Sequence, residues 1–598
     1  MIWSWVAPKQ RSTWPWLAGL FAAVVSYAIW ALAPASVDLL RGDCGGMMIG
    51  DGTDTRGLLW AYELVKSTWR EHPSRMLYGS IYTTLRAVPD GGGIWVPMNE
   101  KLLVPLLTPL AHDGLLPTAV ALTLMVFNGM SVVYMGEKLR WHRAATFAIA
   151  LAFTVIPYTR ARAAVHIALV GYYWLPLAIG ATAGIADIWR DGKAVSQRRA
   201  YLEYALVLLL AVTVAHYYLI LLAILLPWFV YFFAQRSASF RFRRWLFAAL
   251  CAAPAIAITA FQFSHPLPPD VPIPASGIPV SDKVLAHRMV RAYGVEPWNY
   301  VTGDIKFGPY DALYPRQLVN EVVYTPDQSR NPHERSNGIR WLILIPLLLA
   351  GVIYPFRKPR VAPSRQTQAW LVLAAGAWLC ALSPEFFPAL CEQFTPAMLI
   401  NRLVPQFRIP SRIGPVFQFA LLLLFGDLLS SYFQRRKPIA SFLSFTVPLC
   451  IVLESAPVSP MLRSELLDVW PQLSRADGSC GAGFSLPFEE ANYDIFEETR
   501  GTRCALVNPL LSTEAEGLER AFGEDAFQDG LAAETLPAFV ECMGLSWIRF
   551  GGPLAGGRAA NLCHSLGWQM TSAKICVRPE ARPPSGARLQ ACTARSAQ

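Results

Sequence analysis

The sequence predicts a mainly α-helical polytopic membrane protein, a bundle of about eleven spanning or half-spanning helices followed by a small soluble α/β domain. Three observations predict it. Of the 598 residues, 54% are hydrophobic and 16% charged, against roughly 25% charged in a soluble domain. Apolar runs recur along the chain with short basic clusters between them. Six of the eleven cysteines fall in the tail.

The first helix is read from Lys9 and Arg11, which precede an apolar stretch from Pro15 to Pro34. That stretch matches the ~20 residues of a spanning helix and exceeds a signal h-region of ~7–15. Ala31-Leu32-Ala33 mimics a cleavage site, but the length favours an uncleaved helix. Further apolar runs lie near 118–136, 144–158, 167–186, 205–215, 219–233, 246–262, 339–356, 369–384, 413–432 and 439–455.

Short basic clusters orient these runs. One side collects Lys9 and Arg11, then Lys138, Arg140 and Arg143, then Arg190, Lys193, Arg198 and Arg199. The same alternation continues with Arg236, Arg241, Arg243 and Arg244, with Arg357, Lys358, Arg360 and Arg365, and with Arg435, Arg436 and Lys437. The positive-inside rule makes that side cytoplasmic. The agreement requires residues 205–233 to be two short segments meeting at Ala215-His216-Tyr217-Tyr218. One long tilted helix is the alternative, and it would reverse every later assignment. Half-spans of this kind are tolerated when buried in protein or lining a cavity. The net charge of +10 follows from these clusters; no basic helix, aromatic groove or motif for nucleic acid accompanies it.

The organisation expected is a membrane module over 1–456 with external loops 35–117, 263–338 and 385–412, and a periplasmic domain over 457–598. Short helices lying on the membrane surface suit the loops. In the tail, Gly544–Phe550 reads as a buried strand, and Leu566–Met570 with Lys574–Val577 as a second. Cys480, Cys504, Cys542, Cys563, Cys576 and Cys592 allow up to three disulfides in that external compartment. No Cys/His ligand spacing for zinc is present in the sequence. Cys251, Cys380 and Cys450 sit in apolar runs, as ordinary core residues do.

Three groups of residues can carry chemistry. In the first external loop, Asp43, Asp51 and Asp54 stand among glycines from Arg41 to Gly57. A carboxylate at a membrane boundary suits a general base, because partial desolvation raises its pKa toward the working pH. The structural alternative makes Asp54 the N-cap of a helix from Gly57 to Glu71. Second, Arg160, Arg162, Arg402, Arg408 and Arg412 are exceptions to the charge rule on the external side. Arginine binds phosphate bidentately and stays charged near low dielectric. In Phe407-Arg-Ile-Pro410-Ser-Arg412, Pro410 can open the next helix, leaving Arg408 and Arg412 facing one anion. Lipid headgroups or loop carboxylates are the alternative partners. Third, His166, His216 and Tyr217 lie within apolar runs, where ionisable groups face cavities or pathways. A hydrogen-bonded structural histidine is the alternative. Asp304 and Glu334 in the second large loop are weaker candidates.

These residues resemble a family. Gly50-Asp51 before a Trp60-containing helix, the His166 to Leu177 stretch with Trp-Leu-Pro-Leu, and the Phe407 to Arg412 element are similar to a bacterial branch of the GT-C superfamily of membrane glycosyltransferases. The resemblance spans roughly residues 15–456. It implies an inverting transfer from a polyprenyl-phosphate-linked sugar donor to an envelope glycan, lipid or protein acceptor, on the external face of a bacterial inner membrane. Asp51 or Asp54 would deprotonate the acceptor hydroxyl. Arg408 and Arg412, with Arg160 and Arg162, would stabilise the leaving phosphate, and His166, His216, Tyr217 and Asp43 would line the cavity. No adjacent Asp-Glu pair follows the first helix, so neither the exact base nor a divalent metal is assigned. The rival readings are a transporter or flippase, and a GT-C-like scaffold without catalysis.

Overall fold

The computed structural model of the protein describes residues 47–49, 54–78, 80–81, 94–110, 116–156, 158–159, 162–163, 167–191, 194–234, 242–265, 290, 294–295, 341–353, 364–387, 392–403, 409–435, 437–454, 463–465, 482–487, 505–506, 521–551, 554–572 and 574–579, with parts of 17–24. These fall into two compact units. The first comprises Met1–Gly42, Thr118–Thr259 and Lys283–Met461; the second comprises Asp43–Pro117, Ala260–Asp282 and Leu462–Gln598.

In the second unit, strand β1 (Met47–Ile49) precedes helix α1 (Asp54–Glu71). Helix α1 begins at Asp54, three residues before the start expected from sequence. Leu59, Tyr62, Val65 and Thr68 recur at helical spacing and are buried. Pro73 follows the end of α1 and opens a 3₁₀ turn, Pro73–Leu77, because a proline disfavours helix at the residue before it. A short antiparallel pair, β2 (Ser80–Ile81) and β3 (Ile94–Trp95), leads to α2 (Met98–Leu107). Helix α2 packs against α1 and buries Asn99, Glu100 and Lys101.

The first unit holds the apolar helices: α3 (Leu116–Lys138), α4 (Arg143–Thr154), α5 (Trp174–Asp191), α6 (Ala194–Ala211), α7 (His216–Ala234), α8 (Phe242–Ser264), α9 (Trp341–Ile353), α10 (Arg365–Ala381), α11 (Pro396–Leu403), α12 (Gly414–Arg435) and α13 (Lys437–Glu454). Among the described residues three stretches are long and apolar enough to cross a membrane: Leu116–Lys138, Ile167–Trp189 and Pro410–Arg435. Shorter apolar helices cover Arg143–Thr154, Tyr218–Phe233, Leu246–Gln262 and Trp341–Ile353. Leu348, Leu349, Val352 and Ile353 on α9, and Leu246, Phe247, Leu250 and Ile256 on α8, stand exposed. Apolar surface on that scale is unstable in water, and lipid is the solvent that accepts it.

The run at 205–233 is two helices, α6 and α7, with a break over 212–215. Neither is as short as its apolar run, because α6 starts at Ala194 and carries the polar residues Gln197 to Glu203 into the helix.

Close packing in this unit depends on glycine, as at Gly426 and Gly180. A Cβ on Gly426 would meet the Trp141 ring at 2.5 Å, and one on Gly180 would sit 2.8 Å from the Tyr134 ring. The first lets α12 approach the turn between α3 and α4. There the Asp427 carboxylate accepts hydrogen bonds from Trp141 Nε1 (2.7 Å), Gln366 Nε2 (2.8 Å) and Trp370 Nε1 (3.1 Å). Asp427 thereby ties α12 to α10 and to the start of α4.

The tail returns to the second unit. Strand β4 (Arg463–Glu465) pairs antiparallel with β1. A five-stranded sheet then runs in the order β6-β5-β7-β9-β8, built from β5 (Ala482–Leu486), β6 (Ala505–Leu506), β7 (Leu545–Phe550), β8 (Gln569–Ser572) and β9 (Ile575–Val577). Strands β5, β6 and β7 are parallel and β7, β9 and β8 antiparallel. Helices α14 (Glu524–Gln528), α15 (Leu531–Met543) and α16 (Gly557–Ser565) complete the α/β fold. Every residue of β7 is buried, as a central strand covered on both faces requires. Gly544 ends α15 at φ 63°, a left-handed cap that turns the chain straight into β7. The second expected strand is two, β8 and β9, folded back on each other. Cys563 of α16 is bonded to Cys576 of β9, and Cys542 is also in a disulfide. Cys251, Cys380 and Cys450 are free and half-buried.

Candidate functional site

Arg162 and Arg412 are described, and both bear on one cluster of buried tyrosines. Asn128 of α3 builds the scaffold. Its Nδ2 donates to the Val170 carbonyl and its Oδ1 accepts from the Tyr172 amide, both at 2.8 Å. An amide side chain at membrane depth thus satisfies the backbone where the 3₁₀ turn Ile167–Leu169 gives way to α5. Tyr172 is held there, fully buried, against Tyr218 at 4.3 Å between ring centroids and edge-on to Tyr158 at 5.7 Å.

The arginines approach from opposite sides in sequence. Arg162 is wholly buried, its guanidinium carbon 4.8 Å from the centre of the Tyr158 ring. Arg412 lies in the 3₁₀ turn Pro410–Ile413 that opens α12, with Pro410 at its first positions. Tyr172 Oη donates a 2.8 Å hydrogen bond to the Arg412 carbonyl. A guanidinium keeps its charge in low dielectric. Two guanidinium groups and three phenols, those of Tyr158, Tyr172 and Tyr218, thus share one buried cluster.

Asp43, Asp51, Arg160, His166, Asp304, Glu334 and Arg408 lie outside the described residues. Asp54 opens α1, and His216 and Tyr217 open α7. Arg402, on α11, donates from Nη2 to Gln393 Oε1 at 3.0 Å.

In the second unit, the stretch Asp43–Pro117 contains a carboxyl group that sequence reasoning missed. Glu100 is 1% exposed, and burial pushes its pKa from 4.5 up to about 8. The neighbouring Lys101 is pushed by burial from 10.5 down to about 7, and its Nζ donates to the Tyr78 carbonyl. Among the described residues Glu100 Oε1, Asn99 Nδ2 and Tyr62 Oη are buried and have no hydrogen-bond partner, and burial first, then the nearby Glu100, raises the Tyr62 phenol. An acid and a base that both change charge near neutral pH mark a candidate proton-transfer centre. Among the described residues no cluster of three or more His, Cys, Asp or Glu could hold a metal ion.

No family model matches the chain, and no curated protein does. It is similar to several solved structures. One is the arabinofuranosyltransferase AftD from Mycobacteria, at 12% identity and TM-score 0.45, covering 91% of this chain and 37% of that one. Another is the apo oligosaccharyltransferase of Archaeoglobus fulgidus, at 10% identity and TM-score 0.43, covering 96% and 76%. A third is ArnT from Cupriavidus metallidurans bound to undecaprenyl phosphate, at 13% identity and TM-score 0.39, covering 96% and 100%. This chain thus spans little more than a third of the arabinofuranosyltransferase. Likeness at this level carries nothing about substrate or mechanism, which have to come from this chain's own residues.

The sequence did contain a signal for the missed carboxyl. Asn99-Glu100-Lys101 interrupts an apolar helix between Met98 and Leu102, and three polar residues in a row place at least one on the buried face. Tyr172 and Tyr158 gave no such signal, since aromatic residues in an apolar run read as core.

Proposed function

We propose that the protein is an inverting membrane glycosyltransferase that moves a sugar from a polyprenyl-phosphate carrier to an envelope acceptor on the external face of a bacterial inner membrane. The observation that supports this reading is a pair of buried arginines beside one tyrosine cluster: Arg162 lies over the Tyr158 ring, and the Arg412 main chain is bonded to Tyr172. Charge of that density inside a membrane-spanning bundle is costly and is kept for function. The donor's phosphate is an anion held on a lipid tail, which matches a positive centre among apolar helices.

In the proposed reaction an acceptor oxygen attacks the anomeric carbon, forming a new glycosidic bond as the bond to the carrier phosphate breaks. The proton of the acceptor hydroxyl passes to a carboxylate of the first external loop, Asp51, Asp54 or Glu100. The electron pair leaves with the phosphate, whose charge Arg162 and Arg412 stabilise, together with Arg160 and Arg408. Such preorganised charge is the largest single contribution in many transferases. Eleven spans, a cytoplasmic N-terminus and a periplasmic tail complete the proposal, supported by six basic clusters on one side and by the disulfides of the tail.

The test is sugar transfer from a labelled polyprenyl-phosphate-sugar pool to envelope acceptors, at matched expression. Arg412→Ala and Arg162→Ala are expected to lower transfer by on the order of 10²-fold. Among Asp51→Asn, Asp54→Asn and Glu100→Gln, the variant that abolishes transfer identifies the proton acceptor. Flipping of the carrier by wild type with no transfer to any acceptor would replace this reading with a flippase.

A further inference from the structure

Away from the tyrosines, the first unit contains a cavity of about 210 Å³ between α3, α5 and α6. It is several times the roughly 30 Å³ share of one water. Tyr134 and Lys138 of α3, Gly184 and Ile188 of α5, and Arg199 and Glu203 of α6 line it. Gly184 keeps it open on one side, since a Cβ there would lie 3.4 Å from Lys138 Cδ.

The charges on its wall are unevenly satisfied. Glu203 Oε1 accepts from Tyr134 Oη at 2.8 Å and from Lys138 Nζ. Its second oxygen, Oε2, and the exposed Arg199 guanidinium make no such bond among the described residues. Arg199 and Glu203 are four residues apart on one helix, so their Cβ atoms are about 5–6 Å apart. They do not bridge, because the carboxylate turns toward Lys138. The cavity thus presents a free cation and a free carboxylate oxygen side by side, with an apolar wall at Ile188. It lies by Lys138, the last residue of a candidate membrane span. The basic clusters 138–143 and 190–199 adjoin its lining residues in the sequence, as expected for a site at the height of lipid headgroups.

We infer that this cavity binds the phosphoethanolamine headgroup of a membrane phospholipid, with the phosphate on Arg199 and the ammonium on Glu203 Oε2. A two-carbon zwitterion can bridge two side chains that leave one helix face a turn apart. A purely anionic headgroup would meet the Glu203 carboxylate, and a choline nitrogen has no proton to donate to it. The site is independent of the transfer reaction proposed above.

The test is native mass spectrometry of the full chain in detergent, titrated with phosphatidylethanolamine, phosphatidylglycerol and phosphatidylcholine of matched acyl chains. Wild type is expected to retain the ethanolamine lipid about tenfold over the other two, the factor that one charge-assisted contact supplies. Arg199→Ala, and Ile188→Trp, which fills the cavity, should remove that preference, while Arg199→Lys keeps part of it. Equal retention of the glycerol lipid, or an unchanged preference in Arg199→Ala, would overturn the proposal. So would displacement by free phosphoethanolamine with no preference among the lipids, since the ligand would then be a soluble one.

Discussion

The hydroxyl of Tyr172 donates a 2.8 Å hydrogen bond to the main-chain carbonyl of Arg412, a residue 240 positions further along the chain. That bond fixes the turn from which the Arg412 side chain departs, so a tyrosine at the start of α5 positions an arginine at the start of α12. Tyr172→Phe removes the donor and keeps the ring. It is expected to cost about 1 kcal/mol of stability and to raise the KM for the lipid donor more than it lowers kcat. An unchanged KM, measured alongside Arg412→Lys, would show that the turn holds its place without the bond.

If Arg162 and Arg412 serve one phosphate, their effects are coupled. The double variant Arg162→Lys with Arg412→Lys should then lose less transfer than the product of the two single losses, by an interaction of about 0.5–3 kcal/mol. Strict additivity in that cycle would separate the two arginines into independent roles.

Glu100 and Lys101 give the first-loop module a pH dependence of definite sign. The Glu100 pKa is raised from 4.5 to about 8, so the folded state holds a proton that the unfolded chain has lost, and stability falls as pH rises across that window. The Lys101 pKa is lowered from 10.5 to about 7, so stability rises with pH between those values. Thermal melts should show stability declining from pH 4.5 to about 7, level to about 8 and recovering above it. Glu100→Gln should abolish the falling limb and Lys101→Met the rising one.

Asp427 receives three N–H donors from two indoles and an amide. Asp427→Ala strands all three within the bundle and is expected to destabilise it by roughly 2–4 kcal/mol. Trp370→Phe, which removes one donor, should cost about 1 kcal/mol. Comparable melting of Asp427→Ala and wild type in detergent would remove the carboxylate from the list of structural ties.

The Cys563–Cys576 bond closes a short loop, with a sequence separation of 13 residues. On loop length alone its loss in Cys563→Ala with Cys576→Ala should cost the tail domain about 3 kcal/mol. Limited proteolysis of the two forms measures it, with faster cleavage of the variant expected between α16 and β9.

Hydropathy and charge clusters alone were enough to place the apolar helices, because lipid imposes a length and a composition on anything that crosses it. The break between α6 and α7 was legible for the same reason, through the orientation of the basic clusters on either side. Arg162 and Arg412 stood out in the sequence as exceptions to the charge pattern, and the structure adds that both are buried. Their meeting was not legible, because Tyr172 and Arg412 are joined by packing across most of the chain, and no local pattern encodes a contact of that span. Glu100 was passed over because a carboxyl on a loop helix looks solvated until the surrounding fold buries it. Sequence periodicity fixes which residues share a helix face. Only the tertiary structure decides which faces meet, and desolvation and pKa follow from that meeting.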